Sequence, residues 1–325
     1  MKFRIAIPFA QIESINPNLA QSSYQKSRDI YFKNIYTCFF SIRKHNPEIT
    51  LQLFTNDILP SGLERRLEEI GVITTIVPFR FQPPSEYGDF FKGCFYIFDA
   101  IAEMEESTLF IDPDVICSQE IGLVQYKEEF AQERIGIFDL KFSETKRING
   151  LTHVEAVSIY NSLLGTSVLP GRHVGGECFF LPISLRDKLL QDFEIYWQEA
   201  TKKTHIQQKR YLTTEEHILS LLVLQFPSFD LGNLIARIWT TKTYRKIEGR
   251  ESIEELPLWH LPSEKEKGLI RIYDFLDSNK IEYLNFSRNE EISFLRKSLS
   301  LNFVALRNVI STTLSFVKKI GNLRK

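Results

Sequence analysis

Apolar residues come in short, strand-length runs that alternate with longer stretches where they recur every three or four positions. Residues 3–9 (FRIAIPF), 50–57 (TLQLFTND) and 72–79 (VITTIVPF) are of the first kind and read as strands. Between them, 24–47 places Ile30, Ile35, Phe39 and Ile42 near helical spacing and stops at Asn46-Pro47, and 59–71 reads as a surface helix closed by Gly71. After a proline-rich loop at 81–89, an aromatic helix starting at Asp89 leads into STLFIDPDV at 107–115. This reads as a buried strand up to Ile111, with Asp112 and Asp114 emerging at its carboxyl end and packing resumed at Val115-Ile116.

Further on the rhythm is less regular. The pattern predicts a strand at 134–140, a loop at 142–153, a helix at 154–165 and a turn entering an apolar strand at 167–182. Helices follow at 184–203, with Ser184 as N-cap, and at 213–227, with threonine caps and Glu215 and Glu216 in the first turn. From about Glu264 the chain is helical and charged. Strands alternating with helices predict an α/β fold with a doubly wound, Rossmann-like parallel sheet, in which ligands bind beyond the carboxyl ends of the strands.

Composition narrows the function classes. At 325 residues and 43% hydrophobic, with 26 Phe and 12 Tyr, the chain can bury a full core. A net charge of −1 gives no footprint for nucleic acid. Cys38, Cys94, Cys117 and Cys178 are widely spaced in apolar surroundings and read as buried thiols. The N-terminal apolar run is too short for a secretion signal, and no stretch reaches the roughly eighteen apolar residues of a spanning helix. The expected location is therefore the cytosol or the cytosolic face of a membrane.

Charge is unevenly distributed. Residues 292–325 carry seven Lys/Arg and no acid, leaving 33 basic against 41 acidic residues in the remainder, a formal −8. Leu295, Leu299, Leu306, Ile310 and Val317 fall near one helical face of that segment. A basic amphipathic helix of this kind suits an anionic membrane surface, and packing on the body of the protein is the equal alternative.

The chemistry centres on LFIDPDVIC. Two carboxylates, Asp112 and Asp114, stand one residue apart in an apolar strand, separated by Pro113, which cannot donate to a sheet ladder. Residues at i and i+2 of a strand share a face, so both carboxylates can meet one hard cation, Mn²⁺ or Mg²⁺. Otherwise the two aspartates are turn caps. Gly175-Gly176 permits close approach of a sugar or backbone, and Glu177 can accept hydrogen bonds from hydroxyls. Glu215 and Glu216 suit a helix start for electrostatic reasons alone, yet a carboxylate there can also act as base or nucleophile.

STLFIDPDV resembles the metal-binding strand of the GT-A-fold glycosyltransferases that use nucleotide-diphosphate sugars. HVGGECFFLP (173–182) is similar to their glycine-rich donor/acceptor strand, and TTEEHILSLL (213–222) to the acidic helix start that follows. Motif order is closest to the retaining group that includes the blood-group A/B and α-1,3-galactosyl transferases, although this chain has Glu-Glu where either stereochemical group has its own pattern. The resemblance covers about residues 1–262 and implies a GT-A domain there, with 263–325 as a helical basic extension.

It further implies Asp112, Asp114 and His260 as metal ligands and Lys265 or Lys267 at the diphosphate. Pro8, Phe9 and Ala10 fall at the first-strand donor contact, and Asp57, Lys92, Asp99, Pro113, Gly175, Gly176 and His217 at the substrates, with Asp57 and Asp99 equally readable as caps or solvated face residues. Glu215 or Glu216 would be the catalytic carboxylate, with Glu177 orienting a sugar. The implied reaction moves a sugar, from a UDP-sugar by preference, to a glycan or lipid-linked acceptor. A nucleotidyltransferase is disfavoured because IPFAQIESINPNLAQSS lacks the glycines and basic residues of a nucleotide loop. A non-catalytic sugar- or membrane-binding protein on the same fold is the other alternative.

Overall fold

The computed structural model describes residues 3–13, 19, 23–87, 91–122, 127–141, 147–165, 167, 172–202, 212, 214–241, 245–248 and 253–301. The strands are β1 (Arg4–Phe9), β2 (Thr50–Thr55), β3 (Val72–Ile76), β4 (Thr108–Ile111), β5 (Val115–Cys117), β6 (Ile135–Asp139), β7 (Arg147–Ile148), β8 (Leu151–Thr152), β9 (Val174–Leu181), β10 (Ser228–Asp230), β11 (Ile235–Thr240), β12 (Arg245–Glu248) and β13 (Leu258–His260). The helices are α1 (Tyr24–His45), α2 (Ser61–Glu69), α3 (Tyr96–Ala102), α4 (Lys127–Ala131), α5 (His153–Leu164), α6 (Arg186–Ala200), α7 (Glu215–Val223), α8 (Gly268–Leu284) and α9 (Arg288–Ser298).

The central sheet runs β10-β6-β9-β4-β1-β2-β3. Its pairs are parallel except that β9 lies antiparallel to both β4 and β6. The expected α/β sheet with flanking helices is therefore present, in mixed rather than wholly parallel form. Alternation along β1 sends Ile5 and Ile7 into one core, with α1, and Ala6 into the other, with α3, α6 and α7. Leu269, Ile272 and Leu276 of α8 and Leu295 of α9 belong to the same core as α1. Lys44, His45 and Tyr283 all contact the carboxylate of Glu291, at 2.7, 3.1 and 2.7 Å, which ties α9 to α1. The expected membrane-facing residues Leu306, Ile310 and Val317 lie outside the described residues.

A second sheet, β12-β11-β13-β5, adjoins the first. Its strands β11–β13, and β10 at the edge of the central sheet, were not expected from the periodicity, because each is short or interrupted by polar residues. β4 ends at Ile111 as expected, and Asp112-Pro113-Asp114 cross from it to β5, which belongs to the second sheet. Three expectations are corrected. The aromatic helix begins later than Asp89, because Phe91 takes a left-handed conformation (φ 53°) before a short 3-10 turn at Lys92–Phe95. Ser184 lies inside the 3-10 turn Ile183–Leu185 and does not cap α6. Within the loop expected at 142–153, β7 and β8 pair around Asn149-Gly150, both with positive φ (45° and 89°). Asn-Gly between apolar residues is the standard signal for such a hairpin. Among the described residues, no helix is long and apolar enough to cross a membrane.

Candidate active site

The crossing between the two sheets pins the D-P-D segment from both sides. The Asp112 N–H donates to Glu177 O (3.3 Å), and the Leu261 N–H donates to Asp114 O (3.0 Å). Since β13 pairs with β5 through His260 and Val115, the imidazole arrives beside the aspartates. His260 Nε2 lies 3.4 Å from Asp112 Oδ2 and 3.1 Å from Asp114 Oδ2. One ligand atom from each of the three residues falls within 4.8 Å of the others. The Asp114 side chain is 1% exposed and that of Asp112 41%, so one carboxylate is an inner wall and the other a rim.

Lys265 donates to Asp114 Oδ2. Burial alone would raise the Asp114 pKa, but the Lys265 charge beside it holds it far below the usual carboxylate range. Asp114 Oδ1 and His260 Nε2 are nevertheless buried without a hydrogen-bond partner. Orphaned buried polar atoms are costly unless something accepts or donates to them. Two carboxylates and an imidazole, with lone pairs unspent, fit a divalent cation such as Mn²⁺ or Mg²⁺.

Two glycines shape the next part of the site. The register of β6 against β9 slips between Ile137 and Phe138, so that Ile137 pairs with Phe179 and Phe138 with Gly175. Such a bulge re-aims side chains. A Cβ on Gly176 would run into Glu215 Oε1 and lie 3.2 Å from Glu216 Cγ, and one on Gly175 would run into Glu177 Oε2. The glycines thus make room for carboxylates of the protein itself.

The acidic pair at the start of α7 is split by its surroundings. Glu216 is buried and fully engaged: Oε1 accepts from Arg237 (2.8 Å) and the Gly176 N–H (3.1 Å), and Oε2 from Asn149 (2.6 Å). Despite burial, Arg237 and His173 hold its pKa well below the ordinary value. Glu215 is half-buried, and burial together with the Glu216 charge pushes its pKa up to about 8.

These groups open on a cavity of about 440 Å³ lined by Pro8, Phe9, Ala10, Gln11, Tyr31, Asp112, Pro113, Asp114, Asn149, Glu215, Glu216, Arg237, Trp239, His260 and Lys265, among others. The structure therefore brings together Pro8, Phe9, Pro113, both aspartates, both glutamates of α7, His260 and Lys265. Several other expected residues do not line the cavity. Asp57 caps its own turn, with Oδ1 accepting from the Ile58 N–H at 2.7 Å. Asp99 is buried and accepts from Arg80 and the N–H groups of Arg80 and Phe81. Lys92 sits in the 3-10 turn, and Gly175 packs against Glu177 and Phe138.

His217 is buried with Nε2 3.2 Å from Ile148 O, and burial and His173 push its pKa down to about 3, so it is a packing residue that joins α7 to the hairpin. Glu177 is 0% exposed and bound by Arg237 and His260, which leaves it no reach to a sugar.

Sequence reasoning missed Arg237, Asn149, Gln11 and Trp239. Arg237 had a signal: a lone cation in the apolar strand IARIWT demands a buried anion. Asn149 had the hairpin signal. Gln11 had none; its Nε2 donates to Thr55 Oγ1 (3.1 Å) and Asp57 O (2.8 Å), tying the end of β1 to the end of β2.

No protein-family model matches the chain, and no curated protein matches it in sequence. Solved structures do align with it. An active-site mutant of LgtC aligns at 11% identity and TM-score 0.51, over 86% of this chain and 96% of that one. The apo form of mouse xyloside xylosyltransferase 1 aligns at 12% identity and TM-score 0.47, over 80% and 97%. This chain shares the fold of LgtC. The match to WbbM, a bifunctional glycosyltransferase, has a TM-score of 0.48 at 9% identity over 80% of this chain and 45% of that one.

Proposed function

We propose that this protein is a metal-dependent glycosyltransferase that moves a sugar from a nucleotide-diphosphate donor, a UDP-sugar by preference, to a glycan or lipid-linked acceptor. The observation that carries it is the convergence of Asp112, Asp114 and His260, with orphaned polar atoms, on one point of a cavity that Glu215 also lines. The resemblance of the D-x-D, GGE and EEH segments to GT-A glycosyltransferases and the LgtC-like fold support it.

Asp112, Asp114 and His260 would hold Mn²⁺ or Mg²⁺, which supplies a Lewis acid for charge developing on the departing nucleotide. Lys265, already beside Asp114, provides a buried cation within reach of a diphosphate. The apolar and aromatic wall of Pro8, Phe9 and Tyr31 excludes water from the donor. Glu215 is the carboxylate available at the sugar carbon or the acceptor hydroxyl, since the oxygens of Glu216 are spent on Arg237, Gly176 and Asn149. A carboxyl that keeps its proton close to neutral pH is suited to exchanging it with a hydroxyl.

Leu295 and Leu299 pack in the core, so only the basic residues beyond them, Arg307, Lys318, Lys319, Arg324 and Lys325, are proposed to meet an anionic membrane surface where lipid-linked acceptors reside. Turnover of a panel of UDP-sugars with Mn²⁺ tests the central reading. Asp112→Ala and Asp114→Ala should each abolish metal-dependent turnover in a folded protein; full activity in both would place the chemistry elsewhere.

A further inference from the structure

Glu177 is a fully buried carboxylate set behind the cavity wall. Its Oε1 accepts from Arg237 Nε and from His260 Nδ1 (3.2 Å), and its Oε2 from Arg237 Nη2. Arg237 and His260 are register partners on β11 and β13, so one carboxylate reaches both side chains. Arg237 is in turn anchored on Glu216 at the start of α7 (2.8 Å). Each of these groups would be expensive to bury alone, and together they satisfy one another.

A neutral imidazole that donates from one nitrogen must present the other as a lone pair. Here the nitrogen facing Asp112 and Asp114 is Nε2, and the nitrogen facing Glu177 is Nδ1.

We infer that Glu177 is a positioning residue for the ion site: it takes the Nδ1–H of His260, fixes the ring, and leaves the Nε2 lone pair aimed at the point where Asp112 and Asp114 converge. Arg237 keeps Glu177 charged and immobile, and so links the ion site to the helix that bears Glu215. Glu177 lies within the β9 stretch, between Gly175 and Phe179, where the register against β6 slips, which helps carry it to this position. A carboxylate behind a metal-bound histidine raises the basicity of the ring and orients it, and loss of such a partner typically weakens metal affinity about 10–100-fold.

The inference rests on the ion site of the proposed transferase, so its test uses ion binding without turnover. Mn²⁺ affinity is measured by electron paramagnetic resonance on the full chain without nucleotide, with urea midpoints in chelator confirming the fold. Glu177→Leu should weaken Mn²⁺ binding by about 10–100-fold. Glu177→Gln, which can still place an acceptor oxygen on Nδ1–H, should recover a large part of that loss. A folded Glu177→Leu protein that binds Mn²⁺ as tightly as wild type, or a Gln variant as weak as the Leu variant, overturns the inference alone.

Should the Leu variant not fold, long-range ¹H–¹⁵N spectra of wild type with Mg²⁺ decide. The Nδ1–H tautomer of His260 is expected, and an Nε2–H tautomer refutes it. A wild-type protein with no Mn²⁺ affinity would overturn this inference and the transferase reading together.

Discussion

Arg237→Met removes one buried cation from between two buried carboxylates. In the native protein its guanidinium grips Glu177, which is 0% exposed, and Glu216, whose side chain is 10% exposed. At 2.8 Å and an effective dielectric constant near 20, one such pair is worth about 6 kcal/mol of gross attraction, most of it offset by desolvation of the partners. Breaking a buried pair from one side costs about 3–5 kcal/mol, because the remaining charge stays buried. Glu216 keeps the Gly176 N–H and Asn149, whereas Glu177 keeps only His260 among the described residues, so the centre of that range, about 4 kcal/mol, applies.

With a urea slope of about 3 kcal/mol per molar, the midpoint should fall by about 1.3 M. Urea titration followed by circular dichroism measures it. The pH dependence supplies a second signature. Glu216, against the effect of burial, is held well below its ordinary pKa by Arg237, so its stabilisation is present above the unfolded value near 4.5 and lost as pH falls through the folded value. Without Arg237, only His173, the Gly176 N–H and Asn149 still oppose the burial of Glu216, so this stabilisation shrinks and the variant should lose less stability than wild type on acidification through the carboxylate range. A midpoint shift below about 0.2 M, or a variant whose pH profile parallels wild type, would refute the arrangement.

Glu215 supplies a pH prediction of opposite sense. Its folded pKa of about 8 lies above the ordinary 4.5, so the folded state holds a proton that the unfolded state has lost, and stability should decline as pH rises between those values. Glu215→Gln should flatten that decline in urea midpoints taken at pH 5 and 8, and an unchanged slope would contradict the assignment. Gly176→Ala inserts a Cβ against Glu215 Oε1, the far end of a side chain that can swing aside. Its stability should therefore change by less than about 1 kcal/mol while kcat on a turned-over UDP-sugar falls at least about tenfold; equal loss of both would mean that the backbone, not Glu215, absorbs the clash.

Much of the local structure was legible because its causes are local. Ile30 to Ile42 repeat at helical spacing and Ser23 caps α1 by accepting from the Lys26 N–H (3.4 Å), so α1 ends close to where the spacing and Asn46-Pro47 put its end. The apolar runs that became β1, β2, β4, β6 and β9 are likewise self-evident, since burial on both faces requires nearly unbroken hydrophobicity, and β3 was legible although at the sheet edge it exposes Ile73 and Ile76. D-x-D was conspicuous for the converse reason: two carboxylates in such a run demand compensation.

Partners far apart in the chain were not legible. Whether Glu216 is tied up in a buried ion pair while Glu215 is not depends on Arg237, two strands later, and on Gly176, forty residues earlier. Whether Glu177 meets a sugar or a histidine depends on a bulge in one strand pair and on the parallel register that sets Arg237 beside His260. The amino-acid order by itself determined the α/β alternation, the two-carboxylate turn and the acidic helix start. Only the tertiary structure decided which of those carboxylates is spent on holding the protein together and which is left for chemistry, because the pairing of buried charges is settled by neighbours in space.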